Sequence, residues 1–386
     1  MSQNPDVSPT SHDDGQRLSD SPSELVGLRR GAGRVARKLK RRLSALWSHA
    51  DRRLSMWASG STLGSRLYYA FWNSAFGREQ QAVLRGRAQY ASDLANPKET
   101  SVRLRRNCHR LEKGLLMVPR REVFAAEYIG ETVDSYCTIG RHCDVEQDEL
   151  SPEMQWAYDV LSKYFQVVVD TPPIAEARKK FEQAAKLVRC PPGECVPYQR
   201  DLSGEPRVSI VDLISLAKRR RSVRWFLPRP VPREMIDAAI EVAGQSPSAC
   251  NRQPFQFRIF DDPELVQRVV QLPMGTAGYG HNIPVMVVLI GQQRNYFDER
   301  DRHLIYIDGS LATMGFVYAL EAQGLSSCCI NWPDIESREA ALGELLGLSG
   351  DERAVMCLAV GYPDPEGLVA YSQKKPLGQL RRYNFE

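Results

Sequence analysis

The chain has 386 residues, with 51 Lys and Arg against 47 Asp and Glu and a formal net charge of only +4, which argues against a polypeptide that is basic throughout. Hydrophobic residues at 42% and charged residues at 25% are ordinary for a globular protein and speak against wholesale disorder, a collagen-like chain or a bundle of membrane spans. The length suits two or three domains at roughly 100–200 residues each.

Residues 1–27 are rich in Ser, Asp and Pro, lack hydrophobic periodicity, and read as a disordered tail. MSQNPDVSPTSHDDG has no basic stretch leading into an apolar one, so no secretory signal is expected. The longest apolar run, Ile283 to Ile290, is interrupted by Pro284 and falls well short of the roughly 18 residues of a spanning helix. The odd total of 9 Cys fits reduced thiols better than a disulfide framework, and the expected location is the cytoplasm.

Residues 28–60 form a basic amphipathic helical segment. Stretch 29–42 (RRGAGRVARKLKRR) holds 8 Lys and Arg and no acid, leaving 43 basic against 47 acidic side chains elsewhere. Beyond Val35, the apolar Leu39, Leu43 and Trp47 recur every four residues, which makes one helical face greasy and the other cationic. Such a helix can make a peripheral contact through residues 29–47 with the anionic inner face of a membrane, at about 1 kcal/mol per cation. A solvated basic helix docked on its own protein, or a nonspecific nucleic-acid contact, explains the same pattern, and no specific nucleic-acid partner is expected.

Residues 61–200 read as a mostly helical accessory region. It holds LYYAFWNSAF (67–76) and RLRRNCHRLEKGLLM (103–117), where Leu104, Cys108, Leu111 and Leu115 mark one helical face and leave His109, Arg110, Glu112 and Lys113 for others. His109, without a paired ligand, reads as a surface or capping residue. Cys137, His142, Cys143, Cys190 and Cys195 invite a zinc reading, but no CxxC pair occurs, so no metal is expected. Pro191, Pro192, Gly193, Pro197 and DLSGEP (201–206) cluster turn formers and predict a domain boundary near 200.

Beyond it helix and strand alternate. Ser209 and Asp212 cap IVDLISLAKRR, and Pro232 with Glu234 opens a helix through Ala243. FQFRIF (255–260), PVMVVLI (284–290) and AVMCLAV (354–360) read as strands, and Leu304 to Gln323 as a long helix whose Ala312, Gly315 and Ala319 permit close packing. In KRRRSVRWF (218–226), arginine forks and the Ser222 hydroxyl can satisfy a phosphate, although a basic helix end complementing the helix dipole needs no ligand. In SPSACNRQPFQF (246–257), Asn251 and Gln253 can meet the polar edge of a planar heterocycle, and a plain Asx turn explains them equally. In GLSSCCINWPD (324–334), adjacent Cys328 and Cys329 read as packing residues rather than redox thiols. Lys374 and Lys375 in YSQKKPLGQL (371–380) can close on the same phosphate.

RRSVRWF, then PVPREMIDAAIEVAGQSPSACNRQPFQF, then GLSSCCI, VGYP and KKPL, in this order over residues 208–380, resemble the FMN-dependent nitroreductase family. The resemblance implies an α+β fold over 208–386, a mixed sheet flanked by helices, preceded by the mostly helical N-terminal region. It implies that Arg220, Arg221, Ser222 and Arg224 contact the phosphate and ribityl chain of FMN, and that Lys374, with Lys375 beside it, adds a basic phosphate contact. By the same likeness Pro247, Ser248 and Asn251 reach the flavin from a partner subunit, which makes the protein a homodimer. The backbone of Cys329, Ile330 and Asn331 then approaches the reactive side of the ring. The implied activity is ping-pong hydride transfer from NADH or NADPH through flavin N5 to a nitro, quinone or other small organic acceptor, and the flavin supplies the electron capacity. No catalytic residue is assigned; His281 and His303 have no matching role. HRLEKGL (109–115) resembles an extension of nitroreductase-related proteins in bacterial polysaccharide gene clusters. A rival expectation is a membrane-associated scaffold, with or without flavin, that does not turn over.

Overall fold

A computed structural model describes residues 22–95, 101–142, 151–188 and 193–384. The readings placed on residues 1–21 and on Cys143, Cys190, Pro191 and Pro192 lie outside the described residues, as does the side chain of His142. Within these limits the chain forms two compact units that divide between Phe76 and Gly77.

The first unit pairs α1 (Pro22–Ala58) with α2 (Thr62–Phe71). Helix α1 begins before the end of the expected tail at residue 27. Asp51 on α1 accepts hydrogen bonds from Tyr68 Oη at 2.6 Å and Trp72 Nε1 at 3.0 Å, and Trp47 stacks on Trp72 with ring centroids 4.6 Å apart. Leu39, Leu43, Trp47 and Trp57 remain exposed. No helix among the described residues is long and apolar enough to cross a membrane.

The second unit begins with α3 (Gly77–Ala95), then α4 (Val102–Leu115), α5 (Ile129–His142), α6 (Pro152–Val167) and α7 (Pro172–Val188). Helices α4 to α7 enclose a core of their own: Leu104, Cys108 and Leu111 of α4 are fully buried against residues such as Tyr136, Leu161 and Tyr164. The four-residue spacing of those α4 positions thus marks the buried face, as the sequence predicts. Cys137 joins the same core and Cys195 is exposed. No group of three His, Cys, Asp or Glu suited to a metal occurs among the described residues. The turn-rich stretch after α7 starts docked on α6: Asp159 accepts from the backbone N–H of Gly193 at 2.9 Å and of Cys195 at 3.1 Å. A Cβ on Gly193 would lie 2.5 Å from that carboxylate, so the approach requires glycine.

From residue 208 the architecture is α+β: α8 (Ile210–Arg219), α9 (Arg233–Gly244), β1 (Phe255–Phe260), α10 (Pro263–Val270), β2 (Val285–Gln292), α11 (Leu304–Ala322), β3 (Ser326–Asn331), α12 (Glu336–Leu346) and β4 (Glu352–Gly361). The sheet order is β1-β2-β4-β3. The expected mixed sheet is antiparallel in all three strand pairings; its parallel component is one bridge, Ser222 to Ser327. Strand β2 is buried on both faces, which explains its unbroken apolar run. Met286, Val288 and Ile290 meet α10 and α12, whereas Val285 and Val287 meet α9 and α11. Each such buried side chain contributes roughly 1.5–3 kcal/mol. Gly315 lets α11 approach α9: its Cβ position lies 3.4 Å from Ala243 Cα.

Candidate functional site

The basic stretch after α8 is built by a cap, a turn and a sheet edge. Ser209 and Asp212 form the expected reciprocal cap at the helix start. The chain leaves the helix at Arg220 (φ −57°, ψ 122°) and runs extended along β3, where Val223 N–H donates to Ser327 O at 3.1 Å. Val223 and Phe226 anchor the stretch in the core. By strand alternation, Arg220, Ser222 and Arg224 share the face opposite Val223. Asn282 braces the backbone, accepting from Phe226 N–H at 2.8 Å and donating to Arg224 O at 3.0 Å.

The arginines here differ in what they hold. Arg219 is paired with Glu321 at 2.9 Å. Arg220, Arg221 and Arg224 have no carboxylate within ion-pair distance among the described residues; Arg224 Nη1 lies 3.5 Å from Ser222 O and its guanidinium 5.9 Å from the Tyr279 ring. Arg221 Nη1 lies 3.5 Å from Tyr371 O, so the segment carrying Lys374 and Lys375, both exposed, lies beside it. The guanidinium groups of Arg220 and Arg224, without acidic partners among the described residues, and the Ser222 hydroxyl on the same face are donors of the kind a dianionic phosphate requires, so these residues fit the phosphate of FMN.

Strand β3 adjoins this cluster. Cys328 and Ile330 point into the core, whereas Cys329 and Asn331 face outward and are exposed. The packing expectation therefore holds for Cys328 and fails for Cys329, because strand alternation gives adjacent cysteines opposite faces. Local enclosure and the neighbouring Cys328 push the Cys329 thiol above its ordinary range, and Arg220 pulls it back down.

The loop with Pro247, Ser248 and Asn251 is held elsewhere, on α11 and α4. Asp308, buried in the largely apolar helix α11, accepts from Ala249 N–H at 2.9 Å. Burial holds its carboxyl above the ordinary range, opposed by that N–H. Arg105 Nε donates to Asn251 O at 3.2 Å, and Ser248 Oγ accepts from Gln253 N–H at 3.1 Å. Cys250, Asn251 and Gln253 have φ of 55°, 52° and 50°, an uncommon backbone for residues with a Cβ that the surrounding bonds over-determine. No hydrogen bond or ion pair among the described residues joins this loop to residues 220–224 within one chain. The sequence reading passed over Asn282, Asp308 and the Arg105 contact; only Asp308 leaves a sequence signal, as an acid inside an apolar helix.

Residues 217–280 and 270–362 match the family model described as Nitroreductase family. An iodotyrosine deiodinase 1 from Pongo abelii is 26% identical over 197 residues, covering 44% of this chain and 67% of that protein. A putative NADH dehydrogenase/NAD(P)H nitroreductase from Methanothermobacter thermautotrophicus is 24% identical over 158 residues, covering 41% and 80%. Among solved structures, an FMN-dependent nitroreductase from Clostridium difficile R20291 is similar at 21% identity with a TM-score of 0.39, covering 45% of this chain and 99% of that one. Residues 217–362 carry a nitroreductase-family domain, and the helical region before it lies outside that match.

Proposed function

We propose that this chain is an FMN-dependent oxidoreductase that passes electrons from NADH or NADPH to a nitro, quinone or other small organic acceptor. The observation that carries the reading is the unpaired arginine set at 220–224, held against β3 beside an exposed Cys329 and Asn331, within a nitroreductase-family domain. Arg220, Ser222 and Arg224 hold the phosphate, Arg221 links that cluster to the Lys374 and Lys375 segment, and the β3 backbone offers an outward face for the ring. When bound, FMN supplies the two-electron capacity that no side chain here provides.

A second copy completes the site. Ile210, Val211, Leu213 and Ile214 on α8 and Leu311 on α11 are exposed, an apolar surface that a monomer leaves in water and a twofold partner covers. Such a partner brings the Ser248–Asn251 loop, which shares no hydrogen bond or ion pair with 220–224 among the described residues of its own chain, to the flavin. The first unit adds a peripheral contact with an anionic membrane, supported by exposed Leu39, Leu43 and Trp47 beside the cationic run.

The test is the absorbance spectrum of the purified chain before and after anaerobic addition of each nicotinamide. A yellow dimer bleached by NADH or NADPH is expected; a colourless chain that ignores added FMN ends the proposal. Removing residues before about Gly60 should leave flavin loading intact and weaken binding to anionic liposomes. Undiminished binding removes the membrane contact.

A further inference from the structure

Helix α4 carries a cationic cluster that the flavin reading does not use. Asn107, fully buried, organises it: Oδ1 accepts from Arg110 Nη1 at 3.2 Å and lies 3.5 Å from Arg106 Nη1, while Nδ2 donates to Glu131 at 2.9 Å. The Arg110 guanidinium stacks 3.5 Å from the Tyr128 ring centroid, and that of Arg106 sits 5.0 Å from Phe297, which packs against Tyr90 at 6.1 Å. Helix α3 presents Tyr90 at this wall because Gly86 seats it on the turn after β2. A Cβ there would lie 2.6 Å from Gln293 Cβ.

Arg252 closes the cluster from the flavin loop. Its side chain is 4% exposed, reaches Asp301 through Nη1 at 3.2 Å, and leaves Nε buried without a hydrogen-bond partner. The carboxylates nearby are engaged: Glu131 by Asn107, Glu153 by Arg105 at 2.9 Å, Asp301 by Arg252. Among the described residues no carboxylate comes within ion-pair distance of Arg106 or Arg110. Burial first, then the charges of Arg110 and Arg252, hold the Arg106 guanidinium below its usual range. Arg252, buried and ion-paired yet with an unmet Nε donor, and Arg106 and Arg110, partly buried, without an acid and stacked on aromatic rings, together supply donors for an anion with a planar body.

We propose that Arg106, Arg110 and Arg252 bind an oxyanion group of the electron acceptor, with Tyr90, Tyr128 and Phe297 flanking its planar part. The assignment of the occupant as acceptor rests on the flavoenzyme reading, because the cluster adjoins Cys250 and Asn251 of the flavin loop; the anion site itself does not.

Calorimetry on the full chain tests the site without turnover, using naphthalene-2-sulfonate and its neutral isostere naphthalene-2-sulfonamide. The sulfonate should bind at least tenfold more tightly, as expected for charge-assisted hydrogen bonds. The preference should vanish in the Arg106→Gln/Arg110→Gln double variant and largely persist in Arg106→Lys, which keeps the charge. Equal affinities in the parent chain, or a preference that survives the double variant, overturn the proposal. Steady-state turnover of 1,4-naphthoquinone-2-sulfonate against 1,4-naphthoquinone tests the occupant. A KM at least tenfold lower for the sulfonate than for the uncharged quinone is expected, and that ratio should fall towards one in the double variant. Equal KM values overturn the acceptor assignment. A chain that binds no FMN yet still prefers the sulfonate would keep the anion site and remove its redox role, so the two failures are distinguishable.

Discussion

At the end of the sheet where β2 finishes and β4 begins, Arg294 and Arg353 are each answered by acids. Arg294 meets Asp351 at 2.7 Å, and Arg353, 4% exposed overall, lies between Asp334 at 3.1 Å and Glu339 at 3.2 Å. At the opposite end, where β4 finishes beside residues 222–226, Arg220 and Arg224 have no acidic partner among the described residues. The same residue type therefore serves two purposes on one sheet. Paired and buried, it fixes the turns that follow the strands; unpaired, it is free for the anion that the proposed function assigns to it. The contrast teaches that the missing acid, more than the abundance of arginine, marks a binding surface.

The strongest way to break this comparison is to remove guanidinium groups from the open end. Arg220→Ala with Arg224→Ala should weaken FMN binding by about 3–6 kcal/mol, from roughly 1.5–3 kcal/mol per charge-assisted hydrogen bond, while the urea midpoint stays nearly unchanged. Flavin titration and denaturation of one preparation check both halves; FMN retained at parental affinity places the phosphate elsewhere. At the closed end the pattern should invert. Asp351→Ala leaves Arg294 without its buried partner and should cost about 3 kcal/mol of stability, read by urea unfolding, with flavin affinity unchanged in the fraction that folds.

Ser222→Ala sharpens the contrast at smaller amplitude. Loss of a neutral hydroxyl donor should weaken FMN by about 1 kcal/mol, measured by the same titration. The smallest effect concerns Asp308. Its folded-state pKa is raised, so above the ordinary carboxylate value the native state holds a proton that the unfolded chain has released, and stability falls as pH rises through that window. Asp308→Asn, which keeps an acceptor for Ala249 N–H, should remove this decline. Urea midpoints of both proteins across mildly acidic pH should converge at low pH and separate as pH rises; parallel curves would show that Asp308 does not titrate there.

Much of this was legible in the sequence. The α4 stripe of Leu104, Cys108 and Leu111, the Ser209–Asp212 cap, the three strands at 255–260, 284–290 and 354–360, and the long helix from Leu304 all follow from period, capping chemistry and turn residues. Helices α10 and α12 were passed over, although Asp262 before Pro263 is a start signal: Asp262 accepts from Glu264 N–H at 3.1 Å and Leu265 N–H at 2.9 Å. The start of α1 at Pro22 was missed because local composition outweighed a similar signal. Periodicity could show that Arg110 left the apolar face of α4. It could not show that Arg106 feels the charge of Arg252, more than a hundred residues away, because that approach is tertiary. The outward face of Cys329 was readable from strand alternation once β3 was placed, and the packing rule for cysteine obscured it.

The short run at Ser222 and Val223 has a further consequence for solubility. It lies along the outer margin of β3 with a single bridge, where an uncovered strand would otherwise offer free amides and carbonyls to any neighbouring chain. Placing Arg220, Arg221 and Arg224 on that margin sets like charges against like when two such molecules meet edge to edge, a deterrent to cross-β stacking. Neutralising these cations therefore carries a colloidal risk beyond lost flavin, and the double variant should precipitate sooner on concentration even where its fold is intact.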